Sequence, residues 1–344
     1  MICNLGTKED VESVFVVKYI QIAKAKDGKS YLNIILSDAS GDLEARMWNE
    51  ADQIIQEIFK GDIIELKGKM NFFQGRKQLI IASLHKKDPA TCDLSLLTAT
   101  SSVDSLEMFN DLMKIVDNLE DVYIKKLLQN ILADNEIARR LKKWPAGKTI
   151  HHAYEGGLLE HILSCANLSV YLSKYYQANT SYVVAGAILH DLCKIYELSD
   201  GLAVDYTEEG KLVGHLVKSL EIIDRFSYPI KNFPYQMKLH LKHIMLSHHG
   251  EYEYGSPKIP STKEAYLLHL IDYMDSKMAS IKEVQKSDTT TGHWSSFVKH
   301  MDRTIFKAEL PTYSSFIEEE ASPAVSNTKG SLGKLLKDFK IQED

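Results

Sequence analysis

The chain has 344 residues, of which 44% are hydrophobic and 26% charged, values typical of an ordinary globular protein of about two domains. Its net charge of -6 argues against a protein that coats nucleic acid by bulk electrostatics, so any nucleic-acid contact needs a local basic surface. The 4 cysteines are scattered without a CxxC pair, which excludes a thiolate zinc finger and a disulfide framework.

Residues 1–87 have the pattern of a β domain. The predicted strands cover residues 11–22, 30–36, 43–48, 62–71 and 77–84. A helical period over residues 49–59 separates the third strand from the fourth. Three strands, a helix and two strands is the order of an OB-fold barrel. The period-two alternation of the third strand places Met47 and Trp48 on opposite faces, so one of the two is exposed and the pattern does not say which.

The rest of the chain is predicted to be helical. Residues 88–104 are rich in turn formers and predict a linker. From Leu106 the helical period continues to about residue 305, which predicts an all-α domain over residues 105–312. Residues 313–344 have the composition of a disordered tail, with a short terminal helix in its last part.

Two helix starts can be predicted near residues of interest. Ser261 and Glu264 form a capping-box pattern in front of the segment that carries Asp272. Thr207 is a plausible N-cap for the helix that carries His215.

An ionisable pair, His190 and Asp191, lies in the apolar run of residues 182–194, which predicts a core helix. Burying such a pair costs several kcal/mol unless each group is compensated, and a metal ion is the usual compensation for adjacent imidazole and carboxylate groups. Further candidate ligands lie in other apolar helical segments: His161, His215, His248, His249 and Asp272. Asp275, one turn after Asp272, is either the alternative ligand to Asp272 or a residue that orients a metal-bound histidine. These residues predict a site for one or two divalent ions.

The types of ligand residue limit which ions can bind and which reaction those ions can support. Histidine and aspartate without thiolates suit manganese, cobalt, iron, nickel or zinc; the residues do not choose among these ions, and manganese is the one that we expect first. Such ions generate hydroxide near neutral pH and polarise a phosphoryl oxygen, so hydrolysis needs no nucleophilic side chain. We expect the remaining isolated histidines to be structural: His85, His269, His293 and His300. His151 and His152 lie in a polar loop and could face substrate.

The order of His161, His190-Asp191 and Asp272 over helices resembles the HD phosphohydrolase superfamily. The added His215 and His248-His249 resemble its extended, two-metal branch. The segment from Lys148 to His161 is similar to the YhaM family of 3′-5′ exoribonucleases, in which an OB-fold precedes the HD domain. The resemblance covers roughly residues 5–310.

This resemblance implies roles for individual residues. His161, His190, Asp191 and Asp272 match the core metal set, and Asp191 would bridge two ions. The resemblance assigns the second ion to His215, His248 and His249. Lys194 falls where HD enzymes often place a phosphate-binding lysine, so Asp191 and Lys194 are the predicted catalytic pair. The implied reaction is release of nucleoside 5′-monophosphates from the 3′ end of single-stranded RNA. Whether single-stranded DNA is also a substrate is left open.

The barrel is the predicted site of strand capture, because OB-folds bind single strands by aromatic stacking and backbone charge. The candidate stacking residues are Tyr31, Trp48, Phe72 and Phe73, each with core packing as the alternative. The candidate basic residues are Lys67, Lys69, Arg76 and Lys77.

Two other functions remain open. One is an HD phosphohydrolase of nucleotides or cyclic dinucleotides, although the absence of a Gly-Tyr-Pro motif after the His-Asp pair weakens the cyclic-dinucleotide form. The other is a replication-associated protein that binds single-stranded DNA, against which the full ligand set argues. Without a leader pattern or a long apolar run, we expect a cytoplasmic protein with no membrane contact; the oligomeric state stays open.

Overall fold

The computed structural model describes residues 1–6, 8–73, 76–101, 103–148, 152–288, 290 and 292–310. The predicted tail over residues 313–344 with its terminal helix, the side chain of Arg76, and His151 lie outside the described residues.

The N-terminal region forms a closed five-stranded barrel. Its strands are β1 (Asp10–Lys24), β2 (Ser30–Asp38), β3 (Gly41–Met47), β4 (Ile63–Phe73) and β5 (Arg76–Lys87). The strand order is β1-β2-β3-β5-β4, and β1 pairs with β4 to close the barrel. Helix α1 (Ala51–Glu57) connects β3 to β4. This topology confirms the OB-fold that the order of predicted elements indicated.

Alternation along the strands fills the barrel interior. Successive strand residues face opposite sides, so every second apolar side chain points inward. Leu32, Ile34 and Leu36 of β2 are completely buried. Met47 is 1% exposed, whereas Trp48 is 44% exposed. Trp48 is therefore the member of that pair that faces solvent.

Among the described residues, ten α-helices follow the barrel, as the helical period predicted. They are α2 (Ser105–Asp117), α3 (Val122–Leu132), α4 (Asn135–Leu141), α5 (Gly157–Tyr175), α6 (Thr180–Leu189), α7 (Lys194–Glu197), α8 (Glu208–Leu212), α9 (Gly214–Ser227), α10 (Tyr235–Ser247) and α11 (Lys263–Ser287). All of them except α8 contribute to one apolar core, in which Leu112, Ile162, Ile188 and Leu268 are fully buried. None of these helices has both the length and the apolar composition that crossing a bilayer requires.

The helical prediction was wrong at its C-terminal end. Helix α11 ends at Ser287, and the described residues after it are joined by isolated bridges such as Trp294 with Phe306. Asp288 explains the stop. Its carboxylate accepts hydrogen bonds from the Ser296 amide and from Thr290, and such local side-chain bonds compete with helix.

Both predicted helix starts shift in the structure. Thr262, not Ser261, caps α11, and its hydroxyl accepts from the Ala265 amide at 3.1 Å. Thr207 caps α8 but not the helix that carries His215. The helical conformation is interrupted between α8 and α9 at Gly214, whose φ of 76° is in the left-handed region that glycine favours.

The barrel packs on the helical domain. The Lys60 ammonium donates to the Val204 carbonyl and lies 2.7 Å from an Asp205 carboxylate oxygen. Lys148 approaches the other oxygen of Asp205 at 2.9 Å. A small apolar cluster of Val16, Ile63 and Leu97, with Leu202 against it, lies at the same junction. Since Lys148 leads into α5, this junction is close in sequence to the site described next.

Candidate metal centre

The predicted ligands come from five elements of the helical domain. His161 lies on α5, His190 and Asp191 directly after α6, His215 on α9, His248 and His249 directly after α10, and Asp272 on α11. The structure brings all of them to one place. His161, His190, Asp191, His215 and His248 are all buried.

Two of these histidines, His190 and His248, form the same kind of hydrogen bond at the end of a helix. The run over residues 182–194 is not one helix as predicted, because α6 ends at Leu189, one residue before His190. Helix α10 likewise ends one residue before His248. In each case Nδ1 donates to the carbonyl three residues earlier, Ala187 at 2.9 Å and Met245 at 2.8 Å, which the helix end leaves free. A carbonyl only accepts, so Nε2 is left with the lone pair that a metal needs.

Four atoms converge in a first cluster. Nε2 of His161 lies 3.1 Å from Nε2 of His190 and 3.6 Å from Oδ2 of Asp191. Oδ1 of Asp272 lies 3.4 Å from the His161 nitrogen and 3.7 Å from that of His190. Ligand atoms that share an ion at about 2.1 Å lie about 3–3.5 Å apart, so these four fit one divalent ion.

A second cluster adjoins the first. Oδ1 of Asp191 lies 3.6 Å from Nε2 of His215, and the ligand atoms of His215, His248 and His249 lie within 4.8 Å of one another. Nε2 of His215 and Nε2 of His248 are buried without a hydrogen-bond partner among the described residues. Buried polar atoms are normally paired, so these two orphans fit a second ion. Asp191 thus presents one oxygen to each cluster.

Two of the histidines donate a hydrogen bond from Nδ1 to a carboxylate on the side away from the clusters. Oδ2 of Asp275 accepts from Nδ1 of His161 at 2.7 Å, and Oε2 of Glu197 accepts from Nδ1 of His215 at 2.8 Å. The first contact places Asp275 behind a ligand, whereas Asp272 faces the cluster itself. Glu197 was absent from the sequence prediction. Its contact with His215 spans 18 residues of chain, and no local pattern announces such a pairing.

The charge states of Asp191, His248 and His249 suit metal ligation. Burial by itself raises the pKa of Asp191, but opposing interactions, led by the charge of Lys194, hold that pKa well below its usual value. Burial, together with neighbouring histidines, lowers the pKa of both His248 and His249. These are the ionised carboxylate and neutral imidazole states that an ion requires. Nζ of Lys194 lies 2.7 Å from Oδ2 of Asp191, so in this structure the lysine pairs with the shared carboxylate.

His269, predicted to be structural, supports the centre from behind. Its Nδ1 donates to the carbonyl of His248 at 2.9 Å. The ring lies against Gly250, where a Cβ would be 2.1 Å from its Cε1 atom, and the φ of Gly250 is 85°. Only glycine fits this close approach, which holds the backbone next to His248 and His249 in place.

An exposed aromatic surface lies on the barrel. The rings of Tyr31 and Trp48 stack with centroids 4.7 Å apart. The guanidinium of Arg46 lies 5.3 Å from the Tyr31 centroid and 5.7 Å from that of Phe73. Arg46 was absent from the predicted set, although the alternation of β3 places it on the same face as Trp48. Phe72 is 58% exposed and Phe73 48%.

The predicted basic residues are mostly paired. Lys67 lies 2.8 Å from Glu12, and Lys69 lies 3.6 Å from Asp10, both across β4 and β1. Lys77 donates to the Leu5 carbonyl at 2.7 Å. Carboxylates therefore offset the charges of Lys67 and Lys69 beside the aromatic surface.

Comparison with known proteins agrees with this architecture. Residues 158–277 match the HD domain family, and residues 16–86 match the OB-fold nucleic acid binding domain family. The chain is thus an OB-fold and HD-domain protein. The second OB-fold domain of replication protein A from Methanococcus maripaludis is 22% identical, with a TM-score of 0.22 over 26% of this chain and 93% of that one.

Two relatives of similar length show to which family of OB-fold and HD-domain proteins the chain belongs. The 3′-5′ exoribonuclease YhaM of Oceanobacillus iheyensis is 31% identical over 288 residues, which cover 82% of this chain and 90% of the relative. The 3′-5′ exoribonuclease YhaM of Listeria innocua is 31% identical over 302 residues, 87% of this chain and 95% of the relative. The chain belongs to the YhaM family.

Proposed function

We propose that this protein is a metal-dependent 3′-5′ exoribonuclease. The observation that carries the proposal is the position of Asp191, whose two oxygens face two adjacent clusters of ligand atoms. A shared carboxylate between two sites is the arrangement of two-ion phosphodiester hydrolysis. The relatives named 3′-5′ exoribonuclease supply the polarity and the substrate class.

The chain's own residues have distinct roles in this proposal. His161, His190, Asp191 and Asp272 would hold one ion, and His215, His248 and His249 with Asp191 would hold the other. When bound there, divalent ions supply Lewis acidity to a phosphoryl group and to water. The carbonyls of Ala187 and Met245 keep His190 and His248 in the ligating tautomer. Lys194 balances the charge of Asp191 and brings an ammonium group to the place where a phosphate would lie.

The barrel surface selects single strands. Tyr31, Trp48 and Phe73 offer faces to unpaired bases, and each stacked base contributes about 1–3 kcal/mol. Arg46 adds a positive charge among these rings. Stacking and phosphate contacts do not read the 2′-hydroxyl, so single-stranded DNA is a second proposed substrate. The products are nucleoside 5′-monophosphates.

Two finer points complete the proposal. Manganese is the ion that we propose, because nitrogen and carboxylate ligands without thiolate suit it. The place of action is the cytoplasm, which agrees with four free cysteines in the described chain.

The test uses the full chain loaded with manganese. It is incubated with one single-stranded RNA labelled at the 5′ end and, separately, at the 3′ end, with the same RNA as a duplex, and with DNA of the same sequence. We expect a descending ladder from the 5′ label, early release of a labelled mononucleotide from the 3′ label, and a much slower reaction on the duplex. Hydrolysis of mononucleotides or cyclic dinucleotides with all oligomers intact would instead identify a small-molecule phosphohydrolase.

A further inference from the structure

His152 lies beside the first cluster without belonging to it. Its side chain is 9% exposed, and its ring centroid is 5.6 Å from that of His161. Nδ1 of His152 lies 2.9 Å from the Tyr154 hydroxyl, and Nε2 lies 3.5 Å from Oδ2 of Asp275. That Nε2 is buried without a hydrogen-bond partner among the described residues, so its approach to Asp275 is an electrostatic contact and not a well-formed hydrogen bond. The ring therefore points at the carboxylate behind His161, not outward to solvent.

The backbone holds His152 in an unfavourable conformation. Its φ is 52°, in the left-handed region that residues with a side chain rarely adopt. The His152 carbonyl accepts from the Ala146 amide at 3.0 Å. The same oxygen lies against Gly157, where a Cβ would be 2.1 Å away, so only glycine fits. Strain that the surroundings maintain in this way is typical of functional positions.

Asp275 also accepts hydrogen bonds from two other groups. Oδ2 accepts from Nδ1 of His161, and Oδ1 accepts from the Ser164 hydroxyl. A carboxylate only accepts hydrogen bonds, so His152 can bind Asp275 only through a hydrogen on Nε2, and its Nδ1 then pairs with the Tyr154 hydroxyl at 2.9 Å. Burial, together with the charge and the hydrogen bond of Glu160, raises the pKa of Tyr154, so its hydroxyl stays protonated. Polar contacts thus run from Tyr154 through His152 to Asp275.

We propose that His152 is a positioning residue for the first metal ion: it fixes Asp275, which in turn fixes His161 in its ligating orientation. The inference rests on the metal site of the proposed function and adds a residue to it. Groups behind a ligand typically change metal affinity about 10- to 100-fold when they are removed. His152 differs from Glu197 and Asp275 because it acts one step further from the ion.

The test measures cobalt binding by the full chain, not RNA cleavage, so a failed exonuclease proposal leaves its outcome readable. Metal-free protein is titrated with Co²⁺ by calorimetry, and the visible absorption of the bound cobalt is recorded. His152→Ala should weaken the tighter cobalt site about 10-fold and shift its absorption band. His152→Gln, which keeps a donor, should restore most of the affinity. Tyr154→Phe should cause a smaller loss in the same direction.

The controls separate positioning from folding and from substrate contact. His240→Ala, a histidine replacement on α10 outside the site, should bind cobalt like the parent. Thermal unfolding of each metal-free variant shows whether the chain has folded, and Tyr154→Phe tests the network even where His152→Ala unfolds. Parental cobalt affinity and absorption in both His152→Ala and Tyr154→Phe would overturn the proposal. A raised KM for RNA in those same variants would then identify His152 as a substrate contact.

Discussion

The metal centre and the barrel surface are built in opposite ways. The centre collects ionisable side chains that are almost fully buried, with His161 and His190 at 0% exposure, whereas Trp48 on the barrel is 44% exposed. Buried polar groups must each be paired, so the Nδ1 atoms of the histidines have specific acceptors. The charged side chains on the barrel surface remain exposed to water, and they form solvent-exposed ion pairs between neighbouring strands. We therefore expect all-or-none effects in the centre and graded effects on the barrel.

Asp191→Asn should have the largest effect. It removes the charge that both clusters share and leaves Lys194 without its ion-pair partner. Turnover of single-stranded RNA should fall about 10³-fold or more, with loss of bound metal in elemental analysis. Asp224→Asn, on a surface aspartate paired with Lys242, is the matched control. Near-parental turnover in a folded Asp191→Asn protein, as judged by circular dichroism, would show that the site is assigned wrongly.

Replacing the histidines of the second cluster should have the next largest effect. His215→Ala and His248→Ala each remove a ligand of the second cluster, so each variant should carry about one ion less per chain. Elemental analysis after gel filtration measures this directly. His85→Ala, on an exposed barrel histidine, should leave the metal content unchanged. If both cluster variants keep the parental stoichiometry, the centre holds one ion and these histidines have another role.

Trp48→Ala should have a graded effect confined to binding. The loss of one stacking face should weaken affinity for a single-stranded RNA by about 1–3 kcal/mol. Metal content and cleavage of very short oligonucleotides should stay parental, because no proposed ligand lies in the barrel. Phe59→Ala, the control, replaces another exposed aromatic residue, one that is outside the stacked pair. Equal affinity losses in the two variants would exclude a specific role for the aromatic surface.

The smallest effect should come from Lys67→Ala. Lys67 lies 2.8 Å from Glu12, so a phosphate contact must compete with that carboxylate. The slope of log affinity against log salt should change by less than the value of about 0.7 expected for one full phosphate contact on a single strand. Arg46→Ala should change it more, since Arg46 lies among the aromatic rings. A larger change for Lys67 than for Arg46 would contradict this ranking.

Local signals identified most of the centre but, apart from the alternative role of Asp275 as a residue that orients a histidine, none of its supporting contacts. His190 and Asp191 stood out because charged groups within an apolar run need compensation. The same argument applied to Asp272, which was not distinguished from Asp275 one turn later. Glu197 carried no such signal, because its partner is 18 residues away and a glutamate at that position is ordinary. Arg46 could have been found, since β3 alternates and Trp48 marks the exposed face.

Sequence by itself determined the class of each domain and the candidate ligands. Strand alternation, helical period and apolar neighbours are all properties of consecutive residues, so the barrel, the helical domain and the buried histidines could be derived from them. Tertiary packing decided which atoms meet. It places Asp272 toward His190 and Asp275 behind His161, ends α6 just before His190, and leaves Trp48 outside the barrel. These outcomes depend on contacts between residues far apart in the chain, such as the 114 residues between His161 and Asp275, which no local pattern encodes.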